Sequence, residues 1–255
     1  MTMSDIAETP QILEPAPGLF VRQAVDNITW ADMGDYILVV DALEQADLED
    51  EVVGVIERTV GDDPVRCLIN THTHYDHVAL NEAFRRRYDT EIINKATSEI
   101  PDEGRWFTGP RRRAVMTPMV GCHTDEDCVV WFPEDRVLLV GDIFGWGIIP
   151  LVGRLNRDSL RLLEDTYARL IELDARTVVP GHGPLCTTLE LRRWVDYLHG
   201  LIGTIQAACR AGQSDERILA ETAPPDDMHH WWRFLKWKHA DTVQKVLRSV
   251  RRGVL

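Results

Sequence analysis

Four residues able to bind a metal ion lie within seven positions of the chain. The segment THTHYDH, residues 71–77, follows the apolar run VRCLIN and supplies His72, His74, Asp76 and His77. Imidazole and carboxylate groups suit zinc, iron or manganese, and no cysteine is needed among them. Because crowded imidazoles beside a carboxylate do nothing for an apolar core, this spacing points to metal-dependent chemistry.

The spacing within this segment is compatible with two ions. His72 and His74 are two positions apart, so in extended chain their side chains point to the same side. Asp76 and His77 come where VALNEAFRRRY begins a predicted helix, and the turn there can direct them to a second position. Two ions ~3.5 to 4 Å apart would fit such a cluster.

Three further apolar runs lead into groups of the same kind. RVLLV leads to Asp142, RTVV leads to His182 in PGHG, and AVMTPMVGCHT ends at His123. In layered α/β folds the strand ends and the loops after them are where sites are assembled. The recurrence predicts that these residues join the first four in one site.

Elements of both kinds must position that site. Strands are predicted to alternate with helices between residues 19 and 187, after a loose Pro-containing arm at residues 1–18. From residue 188 to residue 255 the pattern is helical, with breaks at Gly212 and Pro224, and these helices are expected to pack on the same domain.

Composition narrows the class of protein. With 255 residues and 44% apolar residues the chain has enough material for one large domain or two small ones. The net charge of −13 would repel nucleic acid and an anionic membrane, so a small-molecule substrate is the expected partner, with a homodimer as a further candidate. Five scattered cysteines and the lack of a long apolar run favour a reducing, cytoplasmic setting.

The full set of motifs resembles the metallo-β-lactamase superfamily. The likeness lies in H-x-H-x-D-H at residues 72–77, in GCHTDEDCVVWFP, in LLVGD and in PGHG, and it covers roughly Leu19 to Leu185. It implies an α/β fold, a four-layer αββα sandwich with metals in a groove at one edge and a C-terminal helical extension. It also implies one metal on His72, His74 and His123, a second on Asp76, His77 and His182, and Asp142 as a bridge.

The resemblance implies a reaction as well. We expect a binuclear metal-dependent hydrolase that attacks an ester, thioester or related carbonyl with a metal-bridging hydroxide, which Asp76 and Asp142 position. Two divalent ions are implied, zinc first, with iron or manganese as alternatives. The version of the motifs here is similar to the glyoxalase II-like branch. Two other hypotheses stay open: a mononuclear iron enzyme of the persulfide dioxygenase type, and a binding protein without turnover.

Departures from the superfamily patterns bear on the activity. The commonest β-lactamases carry cysteine where Asp142 stands, and the nuclease branch inserts a domain into the segment that is only residues 143–181 here. Both differences argue against those activities. Cys122 stands beside His123, and Ala79 and Leu80 replace the usual glycines, but no ligand is lost.

Some residues outside the motifs are candidates for weaker roles. Trp146 and Ile148 in GWGIIPLVG form either core or the wall of a substrate groove, and Arg112 either grips a substrate carboxylate or belongs to a solvated charged run. Asp41 is either a turn residue or a hydrogen-bond partner of a ligand. The aromatic stretch HHWWRFLKWKH, residues 229–239, is read as core or dimer contact, with a lid over the groove as an alternative and its histidines outside the metal site.

Overall fold

The computed structural model describes residues 9–151 and 153–255. Eleven strands of this part of the chain form two sheets. The first sheet contains β1 Gln11–Ala16, β2 Leu19–Gln23, β3 Ile28–Asp32, β4 Ile37–Val40, β5 Val65–Ile69 and β6 Glu91–Ile93. The second contains β7 Arg105–Thr108, β8 Arg113–Pro118, β9 Cys128–Phe132, β10 Val137–Gly141 and β11 Thr177–Pro180.

Each sheet combines antiparallel and parallel strands. The first sheet has the order β1-β2-β3-β4-β5-β6, antiparallel up to β4 and parallel from β4 to β6. The second has the order β11-β10-β9-β8-β7, and only β10 and β11 are parallel. Every residue of β4 and β10 is buried, as expected of strands covered on both faces.

Within the described residues, six α-helices cover the sheets. They are α1 Glu49–Val60, α2 Asn81–Tyr88, α3 Arg157–Glu172, α4 Thr188–Arg210, α5 Asp215–Glu221 and α6 His239–Arg251. A short π-helical turn, Phe234–Lys238, precedes α6 directly. Asn156 caps α3 and Thr187 caps α4, and each makes a reciprocal capping box with the residue three positions later. In the described part of the chain, no helix is long and apolar enough to cross a membrane.

In the part of the chain that the structure describes, three apolar clusters separate four layers. One lies between the two sheets and includes Val40, Ile69 and Val130. A second joins the outer face of the first sheet to α1 and α2, and the third joins the outer face of the second sheet to α3, α4 and α6. The predicted αββα sandwich with C-terminal helices is therefore confirmed, and the helices after residue 187 share a core with the second sheet.

The N-terminal boundary differs from the prediction. Gln11–Ala16 is not a loose arm but strand β1, which pairs with β2 from Gln11 opposite Gln23 to Ala16 opposite Leu19. The prolines suggested a loop, yet β1 is an edge strand and Pro15 lies where its register with β2 shifts, and strands tolerate proline at both kinds of position. Residues 1–8 of the predicted arm lie outside the described residues.

Candidate metal centre

The seven predicted ligands come together at one edge of the sandwich. His72, His74, Asp76 and His77 follow β5, His123 lies between β8 and β9, Asp142 follows β10, and His182 follows β11. His72 and His74 precede a 3-10 turn, Tyr75–His77, and Asp76 and His77 lie within it. This turn redirects the chain between the two halves of the motif.

The ligand atoms form three overlapping groups, and within each group all of them lie within 4.8 Å of one another. The groups are His72, His74 and His123; His72, His77 and Asp142; and Asp76, His77 and His182. The first and third are the two triads that the resemblance implied. The second connects them.

Asp142 faces both triads. Its Oδ1 lies 3.4 Å from His77 Nε2 and 3.3 Å from His182 Nε2. Its Oδ2 lies 3.5 Å from His123 Nε2. One carboxylate thus directs one oxygen toward each group, which is the arrangement a bridging ligand requires.

Several of these polar atoms are buried without a hydrogen-bond partner. They include Nε2 of His72, Nε2 of His77 and Oδ1 of Asp142. Buried polar atoms in folded proteins nearly always have partners, so a set that converges on one place needs an explanation. Neutral nitrogens and a carboxylate are the donors that divalent transition metals bind, and the residues therefore fit a metal ion.

The charge state of the centre agrees with that fit. Burial, reinforced by His77, lowers the pKa of His72 to about 2, so His72 is the neutral imidazole that a ligand must be. Burial would raise the pKa of Asp142, but His182 and His77 hold it well below the ordinary value. Burial would lower the pKa of His182, yet Asp142 raises it to about 10. The carboxylates thus attract positive charge to this position.

Backbone carbonyls fix the orientation of two ligand histidines. His123 Nδ1 lies 2.7 Å from the Pro150 carbonyl, and His182 Nδ1 lies 2.9 Å from the Val25 carbonyl. A carbonyl only accepts, so Nδ1 carries the proton and donates it in both rings. Nε2 is then the nitrogen that faces the centre, where a metal ion would take the place of its proton.

Asp41 contacts a ligand rather than serving only as a turn residue. Its carboxylate accepts hydrogen bonds from the backbone N–H and the hydroxyl of Thr71, with N···O at 2.8 Å. Its Oδ2 also lies 3.1 Å from His77 Nδ1. Asp41 therefore orients His77 and holds the first residue of the THTHYDH segment.

Polar residues that the sequence did not single out support the same centre. Asn27 Nδ2 donates to the carbonyls of Pro180 and Gly183, at 2.8 and 2.9 Å, and so holds the turn that carries His182. Asn70 Nδ2 donates to the His77 carbonyl at 2.8 Å. No local pattern marks Asn27, because its partners lie more than 150 positions along the chain.

The loop of His123 is held by an acidic side chain. Asp127 is buried and accepts from the N–H of His123 at 2.6 Å and from the N–H of Thr124 at 2.9 Å. In the sequence, the one feature that could mark Asp127 as functional is its place in HTDEDC, four residues after His123. Asp127 was not among the predicted site residues.

Two of the three predicted substrate contacts are wrong. Trp146 is 1% exposed, packs against Phe144 and Trp231, and donates from Nε1 to the Pro184 carbonyl, so it belongs to the core and not to a groove wall. Arg112 is buried, pairs with Asp135 at 3.0 Å, and also donates to the Pro17 carbonyl.

The position of Arg112 explains the error. It precedes β8, whose far end leads to His123, so the strand separates it from the centre. Ile148 is half-buried and covers Gly145, and its contact with substrate stays a prediction.

The open space at the centre has a different lining. A cavity of about 420 Å³ is bounded by His74, Gly121, His123, Thr124, Asp125, Leu151, Gly153, Arg154 and Ser159. Two ligand histidines thus form part of its wall.

The aromatic C-terminal stretch is mainly core. Trp231, Trp232 and Phe234 are buried in the cluster shared with the second sheet. His239 hydrogen-bonds Tyr197 Oη at 2.7 Å and the Thr222 carbonyl at 2.9 Å, and it takes part in none of the metal-ligand groups. Trp237 is exposed, and a dimer contact there stays a prediction.

The fold and the centre together define a metal-binding αββα protein. The family model of the metallo-beta-lactamase superfamily matches residues 27–182, more than half of the chain. The chain belongs to this superfamily.

A curated relative and solved structures agree with that membership. A hydroxyacylglutathione hydrolase of Rhodospirillum rubrum is 32% identical over 123 residues, which is 44% of this chain and 45% of the relative. The chain thus matches less than half of that relative's length. A metallo-beta-lactamase from Pontibacter korlensis superposes with a TM-score of 0.62 at 16% identity, over 74% of this chain and 98% of the other.

The C-terminal helices also have a structural counterpart. The sec-alkylsulfatase Pisa1 from Pseudomonas sp. superposes with a TM-score of 0.72 at 12% identity, over 96% of this chain and 51% of the sulfatase. At such identities the likeness concerns the fold alone.

Proposed function

We propose that the protein is a binuclear metal-dependent hydrolase of an ester, thioester or related carbonyl substrate. The observation that carries the proposal is the position of Asp142, whose two oxygens face two complete ligand triads. A mononuclear iron dioxygenase would use part of this set and leave Asp76 and His182 without a role. The curated relative, a hydrolase by name, gives further support.

Each ligand has a defined part in this proposal. His72, His74 and His123 would hold one ion, Asp76, His77 and His182 the other, and Asp142 both. Two bound divalent ions would supply Lewis acidity and would lower the pKa of a shared water toward about 7. The carboxylates of Asp76 and Asp142 are 19% and 16% exposed, so either can accept a hydrogen bond from the attacking water and orient it.

No side-chain nucleophile is needed. Cys122 is adjacent to His123, but it is fully buried, and burial raises the pKa of its thiol to about 11. A neutral, inaccessible thiol is a poor nucleophile. The proposal therefore assigns the attack to water.

A second cavity supports a substrate with an anionic group. It measures about 580 Å³ and shares Leu151, Gly153 and Arg154 with the cavity at His74 and His123. Its lining includes four basic residues and no acidic one: Arg154, Lys245, Arg248 and Arg252. Lys245 is already paired with Asp241 at 3.1 Å, which leaves the three guanidinium groups as the main anion binders.

This concentration of positive charge is unusual in a chain with a net charge of −13. Guanidinium groups bind carboxylate and phosphate in bidentate fashion. We therefore extend the proposal to a substrate whose carbonyl lies near His123 and whose carboxylate or phosphate occupies the basic cavity.

Metal analysis and a matched substrate screen test the proposed reaction. The metal-free protein is reconstituted with zinc, manganese or iron and assayed on neutral and carboxylate-bearing esters and thioesters. We expect two ions per chain, hydrolysis, and a strong loss of both the second ion and the rate in Asp142→Asn. One iron per chain with oxygen uptake would favour the dioxygenase, and no turnover with any metal would favour a binding protein.

The basic cavity has a test of its own. We expect the double variant Arg248→Gln/Arg252→Gln to raise KM for the anionic substrate at least ~10-fold, because two charge-assisted contacts are lost, while KM for the neutral analogue is unchanged. Arg192→Gln, an exposed change on α4 outside the cavity, serves as control. An unchanged KM for the anionic substrate would remove the cavity from the proposal.

A further inference from the structure

The loop between β10 and α3 is held by side chains along residues 143–150. The Ile143 carbonyl accepts from Tyr167 Oη at 2.7 Å. The next three hydrogen bonds come from the C-terminal segment: Lys238 Nζ to Gly145 O at 2.7 Å, Thr242 Oγ1 to Gly147 O at 2.9 Å, and Lys245 Nζ to Ile149 O at 3.1 Å. The Pro150 carbonyl accepts from His123 Nδ1.

The three C-terminal donors lie in a row. Positions 238, 242 and 245 are four and three residues apart, so they share one face of the helix that starts at the π-helical turn and continues as α6. Their acceptors are alternate carbonyls of the loop. The donors on the helix and the acceptors on the loop therefore have the same spacing over about two helical turns.

Close packing accompanies these hydrogen bonds. A methyl group at Gly147, whose φ is +99°, would lie 2.6 Å from Phe234 Cε2, and one at Gly183 would lie 2.6 Å from Trp232 Cδ2. Lys238 is 2% exposed, and its ammonium group lies 4.1 Å from the centre of the Trp232 ring. The aromatic stretch thus contacts both the loop after Asp142 and the turn that carries His182.

This loop connects two ligand positions. It begins directly after Asp142, and at its other end the Pro150 carbonyl orients the ring of His123. A displacement of the loop would therefore move the bridging carboxylate, or rotate the His123 ring, or both.

We infer that Lys238, Thr242 and Lys245 are positioning residues that hold Asp142 and His123 in their metal-binding arrangement through the 143–150 loop. The inference rests on the proposed metal site and does not depend on the reaction. In this view the C-terminal helix completes the centre, although the hydrogen bonds of Lys238, Thr242 and Lys245 named above go to the loop and not to the ligand side chains.

Removing one of these donors should disturb the loop because an unpaired buried carbonyl is unfavourable in free energy. If a donor is removed, the carbonyl must find a new partner, and the loop has to shift to reach water. Residues that orient metal ligands typically change metal affinity or activity by ~10 to 100-fold when they are replaced. A purely structural contact would instead lower stability and leave the metal affinity unchanged.

Thr242 allows the sharpest test, because two substitutions separate its hydroxyl from its shape. Thr242→Val keeps the volume and removes the donor, whereas Thr242→Ser keeps the donor. The metal-free proteins are titrated with Zn²⁺ against a chromophoric chelator, and the spectra of the Co²⁺-loaded forms are recorded. We expect Thr242→Val to bind ~10-fold more weakly with an altered Co²⁺ spectrum, Thr242→Ser to match the parent, and Lys238→Met to show a larger loss.

The control is Gln244→Met, an exposed change on the same helix whose side chain faces away from the loop. Melting temperatures of the metal-free variants are measured in parallel. If Thr242→Val and Lys238→Met bind Zn²⁺ as tightly as the parent and give its Co²⁺ spectrum, the positioning role is overturned, whatever their melting temperatures. If the parent itself binds no metal, it is the proposed function that fails.

Discussion

Gly181 lies where a single methyl group should disable the metal centre without unfolding the protein. It follows β11, donates its N–H to the Gly141 carbonyl at 2.8 Å, and accepts from the Asn27 N–H at 2.8 Å. Its φ does not fall in the left-handed region, so alanine can adopt the same backbone conformation. Any effect of Gly181→Ala therefore comes from the added carbon.

The size of the effect follows from the contacts that this carbon would make. It would lie 2.8 Å from His77 Cε1 and closer still to Asp142 Oδ1, where ordinary van der Waals contact begins at 3.4 Å. The two ligands must therefore move by roughly 0.6 to 1.2 Å. A displacement of ~1 Å at a catalytic group costs about 100-fold in rate, and we expect a loss of that order in both metal affinity and turnover.

The fold should tolerate this change. The two atoms nearest to the new methyl belong to side chains, and Asp142 can turn toward the groove. Metal stoichiometry after dialysis, Zn²⁺ affinity by competition titration, and thermal unfolding of the metal-free protein are the three measurements. Gly203→Ala in α4 is the matched control, because a methyl group there meets nothing within 4 Å.

The result that would refute the reasoning is a Gly181→Ala protein with parental metal affinity and parental rate. The space between His77, Asp142 and Gly181 would then not be what holds the ligands in place. A loss of affinity in Gly203→Ala as well would show that the assay reports something other than the centre.

Three further changes have distinct expected outcomes. His72→Ala should abolish tight metal binding while the circular dichroism of the folded protein persists, and full metal occupancy in this variant would count against the ligand assignment. Asp41→Asn should weaken Zn²⁺ binding ~10 to 100-fold, because an amide orients the contacted ligand histidine less strongly; equal affinities would assign Asp41 to the turn alone. Burial, with Arg233, lowers the pKa of Lys238 to about 7, and Asp142 opposes the shift. The unfolded chain, with a lysine pKa near ~10.4, then binds more protons above pH 7, so the free energy of unfolding of the parent should rise relative to that of Lys238→Met between about pH 7 and 10. Chemical denaturation of both proteins over that pH range measures this difference. Free energies of unfolding that change equally with pH in the parent and in Lys238→Met would contradict the prediction.

The predicted ligand set came from local features of the sequence. Metal ligands follow short apolar strands, and both the residue types and the order of the motifs are visible without any knowledge of distant contacts. The alternation of strands and helices is a local pattern that indicates an α/β fold. For the same reason the helical C-terminal region was predicted to begin at residue 188, where α4 begins. The αββα sandwich, in contrast, was implied by the resemblance to the metallo-β-lactamase superfamily.

Residues whose role depends on distant partners were predicted poorly. For Trp146 and Arg112 the sequence left a substrate contact open as one of two alternatives, but Trp146 is core and Arg112 pairs with Asp135. The residue type alone does not distinguish the two environments, because a tryptophan or an arginine can occupy either one. Only the neighbours that the fold places around the side chain decide which environment it has. The edge strand Gln11–Ala16 was missed because its pairing with β2, not its own composition, makes it a strand.

The sequence by itself determined which atoms could bind a metal and in what chain order they occur. The tertiary structure decided that the two oxygens of Asp142 face different triads, that Asn27 holds the turn of His182, and that the C-terminal helix holds the loop after Asp142. The physical reason is that ligand chemistry belongs to the individual side chain, whereas a distance of 3 to 4 Å between residues far apart in sequence exists only after two sheets and their helices have packed.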